Sequence, residues 1–155
     1  NKLSYILTNG LKGLIYYKIK EMKAKKINIF VDVSEQLNSQ KLWRICDNNI
    51  KDVSRCLGVY LDNAIEATNS LTKKQISIEV TLEENNIIFI ISNNYNGKLE
   101  VNNFDIEGYS SKGKNRGYGL TLVKEIIDKN KNLSQSREIN GSYYVQKLYI
   151  KTKKL

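Results

Sequence analysis

Apolar and polar positions along the chain fall into successive helical and strand periods. From Thr8 to Lys25, Leu11, Leu14, Ile15, Ile19 and Met22 recur at steps of one, three and four, which predicts an amphipathic helix. Lysines at its end suit the negative helix pole, while Gly10 and Gly13 weaken its start. Ile27, Ile29, Val31 and Val33 then alternate with Asn28, Phe30 and Asp32, the period of a half-buried strand. A polar stretch reads as a turn. A second helix follows from about Asn49 to Thr68, with Ile50, Val53, Leu57, Leu61, Ala64 and Ile65 on one side. Ile76 to Leu82 alternates as a strand. Ile87 to Ser92 is continuously apolar, as expected of a strand buried on both faces. Glu83-Glu84-Asn85-Asn86 between them reads as a hairpin turn.

From Asn93 to Gly119 the periodicity collapses into a polar, glycine-bearing stretch. Inside a compact domain, a loop of that length is a functional lid or a disordered insert. Leu120, Val123, Ile126 and Ile127 restore helical spacing to about Asn130, and Leu133 to Lys151 reads as two strands around Asn140-Gly141. Helices and strands mix without strict alternation, which argues against a doubly wound parallel sheet. The expected class is α+β: a two-layer α/β sandwich, a mixed sheet with helices on one face. No internal repeat or boundary divides residues 1–155, so one domain is expected.

Composition narrows the function. The net charge is +9, but the cations are spread along the chain and not gathered on one helix or among exposed aromatics, which disfavours nucleic acid. No run approaches the roughly 18 apolar residues of a membrane span, so no membrane contact by the domain itself is expected. Nothing reads as a signal peptide, and the sequence starts without Met, as expected of a segment of a longer protein. Cys46 and Cys56 lack metal or redox spacing and read as reduced cytoplasmic thiols. Histidine is absent, which excludes Ser-His-Asp and Cys-His catalysis within this chain.

Three segments could carry chemistry. In Leu61-Asp62-Asn63-Ala64-Ile65-Glu66-Ala67, Asn63 lies about 100° off the apolar stripe. Its carbonyl oxygen suits Mg²⁺, while the plain alternative, which this segment alone favours, is an ordinary polar flank of a helix. In Ile90-Ile91-Ser92-Asn93-Asn94, Asn93 at a strand end offers a donor and an acceptor, enough to address adenine; the plain alternative is a turn-forming Asn pair. The third segment, Gly108-Tyr109-Ser110-Ser111-Lys112-Gly113-Lys114-Asn115-Arg116-Gly117-Tyr118-Gly119-Leu120, holds four glycines, three cations and no acid. It runs into a helix N-terminus, whose unbonded N–H groups favour phosphate.

The familiar phosphate loops do not fit. Gly108-x-x-x-x-Gly113-Lys114 resembles a P-loop, but Asn115 stands where Ser or Thr must hold the metal, no strand precedes it, and the helix starts too late. Gly117-x-Gly119 lacks the third dinucleotide glycine, because position 122 is Leu.

Taken together and in this order, the three segments resemble the N, G1 and G2 boxes of the GHKL ATPases, the Bergerat fold. They are most similar to the AgrC-like branch of quorum-sensing histidine kinases. The resemblance spans essentially the whole chain and implies ATP and Mg²⁺ as cofactors. It makes Asn63 the metal ligand and places Asn93 where most of the superfamily has an adenine-reading Asp. Phe104 is similar to the aromatic at the hinge of the ATP lid. Ser111 and Lys112 resemble the element that closes over the phosphates, with Lys112 sharing the catalytic role of Asn63. Arg116, Gly117, Gly119 and Leu120 resemble the R-G-x-G-L that ends the lid.

The resemblance further implies γ-phosphoryl transfer to a histidine on a separate dimerisation segment. The phosphoacceptor helices would be the direct partner and a response regulator the indirect one. The setting would be a cytoplasmic domain of a membrane-anchored sensor. The chain departs from the pattern at Val59, where hydrolases of the superfamily carry an activating acid, and in having Asn for Asp at position 93. Val59 argues against efficient hydrolysis and is compatible with a kinase. A non-catalytic nucleotide-responsive binding module and a protein serine kinase remain the alternatives.

Overall fold

The computed structural model describes residues 2–95 and 118–152. Its elements run α1 (Asn9–Ala24), β1 (Asn28–Val33), α2 (Gln40–Asn48), α3 (Ile50–Thr68), β2 (Gln75–Glu83), β3 (Asn86–Asn94), α4 (Tyr118–Lys129), β4 (Leu133–Asn140) and β5 (Tyr143–Lys151), with short 3-10 turns at Lys2–Tyr5 and Glu35–Leu37. The strands form one sheet in the order β1-β2-β3-β5-β4. Only β1 and β2 pair in parallel, a geometry that needs a crossover, and α2 and α3 supply it. The β2–β3 and β4–β5 hairpins close through the two-residue turns Glu84-Asn85 and Gly141-Ser142. Gly141 takes a φ of +62°, the left-handed value such turns require.

Strand parity decides which side chains meet the helices. Ile76, Ile78 and Val80 on β2, Ile87, Phe89, Ile91 and Asn93 on β3, and Tyr144, Gln146, Leu148 and Ile150 on β5 stand in matching register, and all are buried. α3 turns Val53, Cys56, Leu57, Tyr60, Leu61, Ala64 and Ile65 into the same core, and α1 adds Leu11, Ile15, Ile19 and Met22. The two-layer α+β arrangement is the expected one. Burial pushes the Cys46 and Cys56 thiols up to about 12, so both are protonated, inert core residues.

Two readings are corrected. The stretch before α3 is not merely a polar turn: Gln40–Asn48 is helical. Leu42, Trp43, Ile45 and Cys46 pack inward, and Trp43 meets Phe89 edge-on at 6.2 Å. β3 is also not buried by a layer on both faces. Ile88 is hidden on the outer face, but its neighbours there are the cross-strand partners Thr81 and Tyr149, while nearby Ile90 and Ser92 stay half-buried. Side chains of adjoining strands cover the apolar run locally.

α1 ends in a Schellman motif: the Ile27 N–H donates to the Met22 carbonyl and the Lys26 N–H to the Lys23 carbonyl, each at 3.0 Å. Lys26 holds the left-handed position at φ +59°. Lys26→Gly is therefore expected to stabilise the domain by about 1 kcal/mol, read as a raised midpoint in chemical denaturation.

Candidate functional site

α3 places Val59 and Asn63 about one helical turn apart on the side facing α4 and β5. The neighbouring carboxylate takes no part there. Asp62 lies about 100° further round the helix, where its carboxylate bonds the Lys18 ammonium of α1. Burial lowers the Lys18 pKa, but the Asp62 bond and the nearby Glu21 more than offset it and leave the net shift upward. Asn63 is half-buried, and its Nδ2 donates to Oε1 of Gln146 at 3.3 Å. Gln146 is fully buried on β5, and its Nε2 donates to the Tyr60 carbonyl at 3.0 Å. The Tyr60 hydroxyl in turn donates to Oε1 of Gln135 at 2.9 Å, tying α3 to β4. Burial raises the pKa of that hydroxyl well above the usual phenol value, with Cys56 adding to the rise and the Arg137 charge opposing it.

The Asn pair at the end of β3 splits into two roles. Asn94, on the outer face, accepts from the Gln75 N–H at 2.9 Å and donates to the Lys73 carbonyl at 2.7 Å, stapling the strand end to the entry of β2. Asn93 turns inward and is fully buried; its Nδ2 donates to the Asn94 carbonyl at 2.9 Å. Its Oδ1 is buried without a hydrogen-bond partner among the described residues. An unsatisfied buried acceptor costs about 1–3 kcal/mol, so this oxygen is open to a donor that the described residues do not supply. Asn93→Leu is accordingly expected to keep the thermal midpoint of the nucleotide-free domain at least at the wild-type value, while ATP no longer raises it.

The third segment reaches the same place through α4. A Cβ at Gly119 would stand 3.0 Å from Cγ1 of Val59, so the first turn of α4 lies directly on α3 one turn before Asn63. Leu120 packs against the core beside it. At the other end of α4, Asn130 donates to Asn49 at 3.0 Å and Asp52 at 2.9 Å, fixing both ends of the helix on α3. Gly119→Ala should force the helix start outward and weaken nucleotide binding about tenfold, since β-branched Val59 has little rotameric freedom. Adding Val59→Ala, which removes the opposing methyl, should restore affinity; calorimetry on the single and double variants checks both.

Register joins the segments. Asn93 pairs with Tyr144 and Ile91 with Gln146, so the residue holding Asn63 is the inward neighbour, diagonally across, of Asn93. Asn63, Asn93, Gly119 and Leu120 thus come together at one end of the helix-facing side. Phe104, Ser111, Lys112, Arg116 and Gly117 lie outside the described residues. Sequence reading passed over Gln146, although a polar residue at inward parity between Tyr144, Leu148 and Ile150 was a visible signal.

A family model described as the GHKL domain matches residues 48–151. The chain belongs to the GHKL family. Its 126-residue match to the sensor protein CitS of Bacillus subtilis (strain 168) is 27% identical and covers 79% of this chain. The chain spans 22% of the length of CitS. The catalytic domain of the histidine kinase ThkA superposes with a TM-score of 0.72 at 15% identity, over 95% of this chain and 93% of the other. ThkA in complex with the response regulator protein TrrA gives 0.69 at 14% identity, over 95% and 40%. This GHKL chain therefore has the ATP-binding catalytic fold found in histidine kinases.

Proposed function

We propose that this GHKL domain is the catalytic part of a two-component sensor histidine kinase of the AgrC-like, quorum-sensing branch. It would transfer the γ-phosphoryl group of Mg²⁺-ATP to a histidine carried by separate dimerisation helices. The observation that supports this most is the convergence, at one end of the helix-facing side, of Asn63, the buried Asn93 oxygen that no described residue satisfies and the Gly119-led start of α4. No histidine occurs in the sequence, so the acceptor must come from another segment or chain. A response regulator would receive the phosphoryl group next, as TrrA's complex with ThkA suggests.

In this reading Asn93 accepts from the adenine amine, satisfying the buried oxygen when nucleotide binds. Asn63 would hold Mg²⁺ through its side-chain carbonyl. The donor chemistry fits, because Mg²⁺ is commonly held by one or two protein oxygens together with substrate phosphates and water. Bound there, the ion would neutralise charge on the β- and γ-phosphates. Ser111 and Lys112 would close over the phosphates, and Arg116, Gly117, Gly119 and Leu120 would lead the backbone into the phosphate-facing turn of α4. Val59, filled by Gly119 packing, leaves no acid one turn before Asn63 to activate water. That favours transfer to a protein nucleophile over hydrolysis. No described helix is long and apolar enough to cross a membrane, so in a membrane-anchored sensor the anchor would lie elsewhere.

The test is titration with ATP to millimolar concentration, with and without Mg²⁺, followed by incubation with acceptor helices. Saturable binding strengthened by Mg²⁺ and weakened by Lys112→Ala, with acid-labile label on the acceptor, is expected. Absence of binding by a folded sample would refute the enzyme reading. Binding without labelling would leave a nucleotide-responsive module, and acid-stable label would indicate a serine kinase.

A further inference from the structure

Two buried hydrogen bonds fix more than position. The Tyr60 backbone carbonyl can only accept, so the Gln146 side chain must turn its Nε2 toward it; the separation is 3.0 Å. The Gln146 carbonyl oxygen is then committed to the other side, where Asn63 lies 3.3 Å away. An oxygen there requires a donor, so Asn63 must present Nδ2 to Gln146 and direct Oδ1 along the other prong of its planar amide. The ambiguity in which end of an amide is nitrogen disappears, because the chain of bonds starts from a backbone group whose polarity is fixed.

We infer that Gln146 is a positioning residue that sets the amide orientation of Asn63, presenting its carbonyl oxygen toward the metal and phosphate side. The inference rests on the proposed role of Asn63 as a Mg²⁺ ligand. Three observations carry it. Gln146 is fully buried in a strand whose other inward residues are Tyr144, Leu148 and Ile150, where a polar side chain has no packing rationale. Both of its polar ends are bonded to the same helix, at Tyr60 and Asn63. And β5 is an internal strand, between β3 and β4, so the platform beneath Gln146 is rigid. Without Gln146, the acceptor that holds Nδ2 toward β5 is lost, and a half-turn of the amide would set an N–H pair against the cation, which would repel it. Residues that orient a metal ligand from behind alter metal affinity by roughly 10- to 100-fold.

The test uses calorimetry of ATP binding over a range of Mg²⁺ concentrations with wild type, Gln146→Met, Asn63→Ala and the double variant. Gln146→Met should leave Mg²⁺-free ATP affinity unchanged and weaken Mg²⁺ binding to the ATP complex by roughly 10- to 100-fold. The double variant should match Asn63→Ala in its Mg²⁺ response, because Gln146 acts through Asn63. A Mg²⁺ response that Asn63→Ala removes but a folded Gln146→Met retains would overturn this inference alone. A Mg²⁺ response unaffected by Asn63→Ala would overturn the metal reading and this inference with it. Should Gln146→Met fail to fold, the wild-type ¹⁵N spectrum decides. Asn63 side-chain amide protons, identified by their loss in Asn63→Ala, should exchange slowly with water, and fast exchange would overturn the relay.

Discussion

Asn63→Ala is expected to reduce phosphoryl transfer to acceptor helices by at least about 10²-fold, the usual cost of removing one group that stabilises developing charge. ATP should still bind, because Asn93 and the start of α4 are untouched. Its affinity should no longer respond to Mg²⁺. Fold is preserved for two reasons: alanine is the best helix former, and Asn63 sits at the edge of the α3 stripe, not within it. A modest loss of stability, about 1–3 kcal/mol, should accompany the variant, because the buried Gln146 oxygen loses its donor. Labelling of acceptor helices supplied in trans, beside a urea denaturation curve, measures both effects. Undiminished labelling would remove Asn63 from the catalytic role.

The largest effect on stability is expected from Trp43→Ala, about 3–5 kcal/mol, as for other large aromatic truncations in cores. The indole is fully buried against Phe89, and its Nε1 donates to the Leu37 carbonyl at 2.7 Å. Truncation leaves a cavity and removes one of the two N–H groups on that carbonyl, the Ser39 N–H at 2.7 Å being kept. Since domains of this size are stable by only about 5–15 kcal/mol, the variant should be partly unfolded near physiological temperature. Trp43→Phe keeps most of the apolar contact and loses the N–H donor, so about 1–2 kcal/mol is expected. Far-UV circular dichroism in urea is the appropriate measurement, because Trp43 is the sole tryptophan and its fluorescence vanishes with the substitution. A loss below 1 kcal/mol for Trp43→Ala would mean that α2 adds little to the core.

Helix α3 and strand β2 were legible because each follows one period for at least six residues and buries one face, whereas β3 was legible as an unbroken apolar run and β4 and β5 through the turn signal between them. The helix α2 was not. Leu42, Trp43, Ile45 and Cys46 do follow helical spacing, but over only nine residues, and so short a helix depends on packing against Phe89 and the core rather than on local preference. The candidate site was legible in part. Asn63, Asn93 and the glycine-rich approach to α4 stood out as residue types suited to Mg²⁺, adenine and phosphate. Gln146 did not, because its significance lies in a bond to a residue 83 positions away.

What the chain determined by itself is local: the element types other than α2, the α+β class, the absence of an acceptor histidine, and the residue chemistry of three segments. These depend on side-chain period and composition, which act over a few residues. Only the tertiary structure decided that Asn94 is a structural staple while Asn93 is buried with an oxygen that no described residue satisfies, since strand parity and sheet register separate two identical side chains. It alone brought Gly119 against Val59 and set the donor end of Asn63 on Gln146. Those contacts cross from helix to helix and from helix to sheet. Their geometry is fixed by packing of the whole core, which no short window of sequence contains.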